Sequence, residues 1–160
     1  MSNQSIKRLM IELKEINKNP DNLYSISPTD NLLVWDFIIF GPYNTLYEGG
    51  IFSGKIYFPR EYPSKPPEII FNNIIHPNIY KNGTVCISIL HEGTDIYGYE
   101  KDIERWLPTH GINTIMISII SMLSSPNFES PANVDASILW KDTPEKYKHT
   151  IYKIVSLSQN

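Results

Sequence analysis

The run "IFSGKIYFP", residues 51–59, alternates with a period of two. Phe52, Gly54, Ile56 and Phe58 fall on one face, while Ser53, Lys55 and Tyr57 fall on the other. A strand of this kind packs one face on a core and leaves the other to solvent, the habit of an antiparallel sheet. Gly49-Gly50 opens the run, and glycine pairs mark turns. Outward from it lie "LLVWDFIIF" (32–40), closed by Gly41-Pro42, and "LYSIS" (23–27) on one side, with "EIIF" (68–71) on the other. Each is short and bounded by turn residues, so the spacing predicts a four-stranded antiparallel meander.

Helices are expected before and after these strands in the chain. Ile6, Leu9, Met10, Leu13 and Ile16 recur every three or four residues, which predicts an amphipathic helix over 4–18. Asn19-Pro20 ends it. Regular structure then lapses from Asn72-Asn73 until Gly111. Beyond it, Ile112, Ile115, Met116, Ile119, Ile120 and Leu123 predict a helix apolar around much of its circumference, hence buried and central. A short helix is expected near "ANVDASILW" (132–140) and a last one from "DTPEK" (142–146). There Thr143 is expected to cap and Pro144 suits the first helical position. Tyr147, Ile151, Ile154 and Val155 form its inner stripe. With no repeat and no linker, residues 1–160 read as one α+β domain.

Composition narrows the function. A chain of 160 residues buries about 70% of its unfolded surface. Its 41% apolar and 19% charged content is that of a soluble globule, and a net charge of −3 lacks the basic field of a nucleic-acid binder. "MSNQSIKRLM" has no apolar core of the kind a secretory signal carries. The most apolar run, "IMISIISML" (115–123), is broken by serines and is too short to insert into a membrane. A single cysteine, Cys86, permits no internal disulfide and no multi-cysteine metal site, which places the chain in a reducing cytoplasm or nucleus. The glycosylation-like triplets "NQS" and "NGT" are then expected to be chance.

Long irregular segments inside compact domains usually serve function, and Cys86 sits in one. From composition alone it reads as a small buried hydrophobe. Its setting reopens the question. Asn82-Gly83 favours a tight turn just before it, and His76-Pro77-Asn78 brings an amide that can return toward the sulfur and donate to an oxyanion. A cysteine hydrolase using His76, His91, His110 or His149 is one alternative; it needs an imidazole within hydrogen-bond reach of the thiol.

Five motifs go further: "YPSKPPEIIF" (62–71), "HPNIYKNGTVCISIL" (76–90), "RWLP" (105–108), "SSPNFESPANVDAS" (124–137) and "KDTPEKY" (141–147). In this order and spacing the chain resembles the ubiquitin-conjugating enzymes over nearly its whole length. The resemblance implies one helix, a four-stranded antiparallel sheet, an active-site segment and three helices. It implies that Cys86 takes the C-terminal carboxyl of ubiquitin as a thioester from a ubiquitin-activating enzyme. Transfer to a lysine of a protein substrate or of ubiquitin follows, with a RING-type ubiquitin ligase holding both parties. The nucleotide dependence lies in the ATP that the activating enzyme consumes; no cofactor is bound stably and no metal is implied.

By the same resemblance Asn78 stabilises the oxyanion or orders the active-site loop. His76, beside Pro77, is a structural member of the turn, and the thiol is not paired with a histidine. Ser130, preceded by Glu129, stands where many relatives carry a gating aspartate, and phosphorylation would make that hydroxyl acidic. Between Leu90 and Trp106 the chain holds Glu92, Asp95, Glu100, Asp102 and Glu104 against Lys101 and Arg105. The plain reading is a solvated loop. The length and acidity resemble instead the branch that builds polyubiquitin chains, including enzymes of endoplasmic-reticulum-associated degradation. That implies a flexible acidic loop that positions an acceptor lysine or limits access, and recruitment to the endoplasmic reticulum surface by a partner. Ligase and activating-enzyme contacts map to Lys7, Arg8, Ser64, Pro108 and Thr109. Ser64 replaces a bulky apolar residue of many relatives, which weakens that surface, and Lys7 and Arg8 equally suit a plain exposed helix face. A non-catalytic variant is disfavoured by the presence of both Cys86 and Asn78; a different ubiquitin-like modifier is a further alternative.

Overall fold

The computed structural model describes residues 3–160. Met1 and Ser2, the first residues of the start read above for a signal, lie outside the described residues. Helix α1 spans Asn3–Lys18, followed by strands β1 (Tyr24–Pro28), β2 (Val34–Phe40), β3 (Ile51–Tyr57) and β4 (Glu68–Phe71). The strands neighbour one another in chain order and every pair is antiparallel, the meander expected from the alternation.

Register places Trp35 opposite Ile56, Phe37 opposite Gly54 and Ile39 opposite Phe52. Across the next ladder Ile56 faces Ile69 and Gly54 faces Phe71. All of these are buried, whereas Asp36, Ser53 and Tyr57 on the other face are exposed. A one-residue slip would exchange the two faces, so burial of one face sets the register. Gly54 has a packing role. A β-carbon there would stand 2.2 Å from the Ile70 carbonyl oxygen and 2.6 Å from the Phe37 ring. Without it, Phe37 and Phe71 meet edge to face at 5.0 Å, a favoured aromatic geometry.

Helices α2 (Ile112–Ser124), α3 (Val134–Asp142) and α4 (Pro144–Ser158) complete the chain. Helix α2 buries every residue of its predicted apolar set, and α4 buries Tyr147, Ile151, Ile154 and Val155. The start of α2 is satisfied from far away: the Ile112 N–H donates to Glu12 Oε1 at 2.7 Å. A carboxylate there also meets the positive end of the helix dipole. Thr143 departs from expectation. It precedes α4, but its hydroxyl donates to the Leu139 carbonyl at 3.2 Å and makes no cap bond to α4. The hydroxyl is used to finish α3, because the two helices follow each other without a spacer.

The segment between β4 and α2 contains single-turn 3₁₀ helices at Ser88–Leu90 and Asp102–Glu104. It is laid along the sheet edge. Phe71 N–H donates to Gly83 O at 2.8 Å and Val85 N–H to Ile69 O at 2.9 Å. Its beginning is anchored from the opposite side, where the Ile75 carbonyl accepts from the Tyr47 hydroxyl at 2.5 Å and the Tyr147 hydroxyl at 3.2 Å. The β2–β3 loop and α4 thus fix the backbone immediately before His76.

Candidate active site

Gly83 makes the turn ahead of Cys86. Its φ is +96°, and a β-carbon would lie 2.1 Å from the Phe71 carbonyl oxygen, so both backbone conformation and space demand glycine. Asn82 Oδ1 accepts from Thr84 N–H at 3.0 Å, and Tyr80 N–H returns to Thr84 O at 2.8 Å. This turn folds the chain back so that Cys86 N–H donates to Asn78 O at 2.9 Å. His-Pro-Asn and the cysteine are hydrogen-bonded neighbours.

Each residue of the triplet is committed to a different element. His76 is fully buried; its Nδ1 accepts from Asn78 N–H at 2.9 Å and its Nε2–H donates to the Met122 carbonyl at 2.8 Å. Burial lowers its pKa to about 4, so it is a neutral strut between the turn and α2. Pro77 O accepts from Asn133 N–H at 2.9 Å, and Asn133 caps α3 through Ala136 N–H at 3.0 Å. The Asn78 amide grips one residue at both ends. Its Nδ2 donates to Asn127 O at 2.8 Å, and its Oδ1 accepts from Asn127 N–H at 2.8 Å. Asn127 precedes Glu129 and Ser130, so Asn78 holds the loop that carries them.

Cys86 is half-buried in an open cleft of about 920 Å³ that Asn78, His91, Glu100, Glu129 and Ser130 also line. One expectation is overturned here. The thiol has a histidine partner: His91 Nε2 lies 3.6 Å from Cys86 Sγ. Glu100 stands behind the ring, with its carboxylate oxygens 2.9 Å and 3.1 Å from His91 Nδ1. The reason is the insertion, which brings both residues over the cysteine: Trp106 N–H donates to His91 O at 2.8 Å and so closes its base. The contact with His91 holds the Cys86 thiol below its ordinary range, against the burial that raises it. The same contact, helped by Glu100 and opposed by burial, raises His91 to about 9.

The insertion is laced by internal hydrogen bonds and an ion pair. Arg105 donates to Gly93 O at 2.8 Å and to Glu92 O at 2.8 Å, and pairs with Glu100. Glu100 also accepts from the Ser88 hydroxyl at 2.5 Å. Asp95 is spent on shape, accepting from Tyr97 N–H at 2.9 Å and Glu100 N–H at 2.9 Å. Of the five carboxylates, Asp95, Glu100 and Glu104 line the Cys86 cleft. Glu92 lines a smaller one on another side of Cys86, and Asp102 is exposed.

Of the residues assigned to partner surfaces, Lys7, Ser64, Pro108 and Thr109 are exposed. Arg8 is half-buried. It donates to Glu12 at 2.9 Å and to His110 O at 2.7 Å, and lies over the Tyr62 ring at 5.8 Å. Trp106 Nε1–H donates to Pro63 O at 2.8 Å. Arg8 and Trp106 therefore tie α1, the loop holding Ser64 and the loop holding Pro108 into one surface from behind.

A helix, a four-stranded meander, a His-Pro-Asn turn bonded to a cysteine and three further helices define the ubiquitin-conjugating enzymes, and the chain belongs to that family. The family model described as ubiquitin-conjugating enzyme matches residues 8–155. Relatives of near-equal length include ubiquitin-conjugating enzyme E2 15 of Schizosaccharomyces pombe, 48% identical over 98% of this chain and 96% of that one. Ubiquitin-conjugating enzyme E2 7 of Arabidopsis thaliana is 45% identical over 99% of this chain and 98% of its own. Ubiquitin-conjugating enzyme E2 G2 of Homo sapiens is 43% identical over 99% and 98% respectively. The chain is a transferase of ubiquitin conjugation. Among the described residues no helix is long and apolar enough to cross a membrane.

Sequence reasoning missed Asn127, the Glu100 support and the Cys86–His91 contact. His91 was within view, five residues from Cys86. No local signal told it from His76.

Proposed function

We propose that Cys86 carries ubiquitin as a thioester, received by transthiolation from an activating enzyme that consumes the ATP, and releases it to a lysine by aminolysis. The observation that supports this best is the half-exposed sole cysteine, its N–H bonded to Asn78 O at 2.9 Å, in a chain of this family. A thioester is already activated toward amines, so the enzyme's task is mostly positioning. We assign Asn78 to ordering the Asn127–Ser130 loop, since both ends of its amide are engaged there. Glu129 and the insertion carboxylates draw the cationic lysine into the cleft, and displacement of water from around it favours the neutral amine. Ser130 adds an uncharged hydroxyl that phosphorylation would convert to a second anion.

The wider role rests on the insertion. An acidic, ordered wall beside the thioester suits a second ubiquitin as acceptor, and with it the building of polyubiquitin chains for proteasomal degradation. A RING-type ligase would dock on the surface holding Lys7, Ser64, Pro108 and Thr109, with recruitment to the endoplasmic reticulum through a partner. Residues 1–160 act as one catalytic domain in this reading. The hydrolase alternative draws on the His91 contact, but it requires cleavage of ubiquitin adducts without ATP or activating enzyme, against the family's transferase chemistry.

The test is incubation with activating enzyme, ATP and ubiquitin. A reductant-sensitive adduct that Cys86→Ala abolishes is expected. Absence of any adduct sinks the assignment, and an adduct formed only with another modifier replaces ubiquitin as the cargo.

A further inference from the structure

We propose that His91, held by Glu100, is a general base that opens the Cys86 thioester to hydroxyl acceptors, so that the loaded enzyme esterifies serine and threonine side chains as well as acylating lysine. This deepens, and rests on, the thioester reading of Cys86. A neutral amine attacks a thioester readily; a hydroxyl is a weaker nucleophile that must lose its proton as it attacks, and a positioned base contributes about 10²–10⁴-fold.

The geometry supplies that base. Nε2 lies 3.6 Å from Sγ, beside the position of the carbonyl carbon that a thioester bonds to the sulfur. Acylation of the sulfur removes the Cys86 contact that chiefly raises His91; Glu100, 2.9 Å from Nδ1, then holds the neutral ring with its proton on Nδ1, which leaves the Nε2 lone pair facing the cleft. Glu100 is fixed in turn by Ser88 at 2.5 Å and by Arg105. Beside its carboxylates the cleft is also lined by the hydroxyl-bearing Ser118, Ser121 and Ser125, which can hydrogen-bond a neutral acceptor. A neutral lysine amine attacks without a base, so aminolysis makes no use of the His91 imidazole.

The step balances without a co-reactant. The acceptor oxygen bonds to the thioester carbon as its proton passes to His91 Nε2. Collapse of the tetrahedral intermediate breaks the carbon–sulfur bond and releases Cys86 as a thiolate beside the imidazolium, leaving an ester on the acceptor. That ion pair is the one the unloaded site already favours, with the thiol lowered and His91 raised by their contact.

The enzyme is loaded with ubiquitin, activating enzyme is stopped, and the isolated thioester is chased with Nα-acetyl-serine amide, Nα-acetyl-threonine amide or Nα-acetyl-lysine amide. Esters resist reductant and yield to hydroxylamine; the lysine product resists both. The wild-type enzyme is expected to form the hydroxyl esters. His91→Ala should slow ester formation about 100-fold while still transferring to lysine at alkaline pH, where the amine is neutral unaided. That lysine transfer shows that the variant is folded. Glu100 is a positioning residue. Glu100→Gln removes a charge that raises the His91 pKa, so the rising limb of ester formation should move to lower pH. The other titratable groups around the ring and thiol are Cys86, Asp95, Tyr99, Glu100, Glu104, Arg105 and Glu129 in the cleft, with Tyr80 and Glu92 on the other side of Cys86. Lysine transfer with no ester, release of free ubiquitin alone, or esters formed equally by His91→Ala each overturn the proposal and leave the conjugating activity standing. Failure to load Cys86 at all would instead overturn the reading beneath it.

Discussion

Asn78→Ala separates the two tasks assigned to this amide. The side chain makes two hydrogen bonds of 2.8 Å, both to the backbone of Asn127, and is 4% exposed. A bond of this kind is worth about 1 kcal/mol net, so losing both costs about 2 kcal/mol. Both bonds are part-buried, and any desolvation of the freed Asn127 groups adds to this loss. For a chain of this size a loss of about 2 kcal/mol lowers Tm by about 4–8 °C. Thermal unfolding measures that fall, and amide exchange at Asn127 and Glu129 should accelerate in step. Discharge of the Cys86 thioester to free lysine should fall with the loosening of the loop. An amide acting mainly on the oxyanion would behave otherwise: a loss of about 10²–10³ in rate, with Tm and loop exchange unchanged. That combination would refute the loop-ordering role.

Three more outcomes are expected. The Cys86 thiol is lowered chiefly by its His91 contact, against burial and against Glu100, with Tyr80 helping; its thiolate, and so its alkylation rate, should plateau at lower pH than a free thiol's. In His91→Ala burial remains without its main opponent, so the profile should move to higher pH; an unmoved profile excludes the contact. Ser130→Asp should discharge to lysine faster than Ser130→Ala, because a carboxylate in the cleft draws the cation in, and equal rates would remove Ser130 from the site. Deletion of residues 92–103 should alter chain assembly more than loading of Cys86, and unaltered assembly would leave the insertion without a role in acceptor choice.

What could be read from the chain was whatever local periodicity encodes. Alternation at 51–59 placed β3 and its neighbours, because half-burial imposes a period of two on each strand. The apolar circumference of α2 announced a buried helix for the same reason. Side-chain commitments between distant residues carry no such period. Glu12 reaches the start of α2 from α1, 100 residues away, and Asn78 finds Asn127 49 residues on. Arg8 looked like a free surface cation because its position lies beside an exposed stripe, yet the Glu12 carboxylate and the His110 carbonyl engage its guanidinium. Thr143 showed the limit even locally: a hydroxyl between two helices can serve either, and here it serves α3. The family motifs named Cys86 and Asn78, which meet through the Asn78 carbonyl, while the amide itself turns to Asn127. His91 escaped them because its approach depends on how Glu100, Arg105 and Trp106 fold the insertion back over the thiol.

The role of Cys86 as the ubiquitin carrier is tested most directly by intact mass of the Cys86→Ser variant after incubation with activating enzyme, ATP and ubiquitin. The serine oxygen replaces sulfur at the same place, so the acyl bond becomes an oxyester. The expected product is heavier by one ubiquitin less one water, stable to reductant and released by hydroxylamine, and fragmentation places the adduct on residue 86. An adduct mapped to a lysine instead, or the same reductant-sensitive adduct from Cys86→Ser as from wild type, would contradict it.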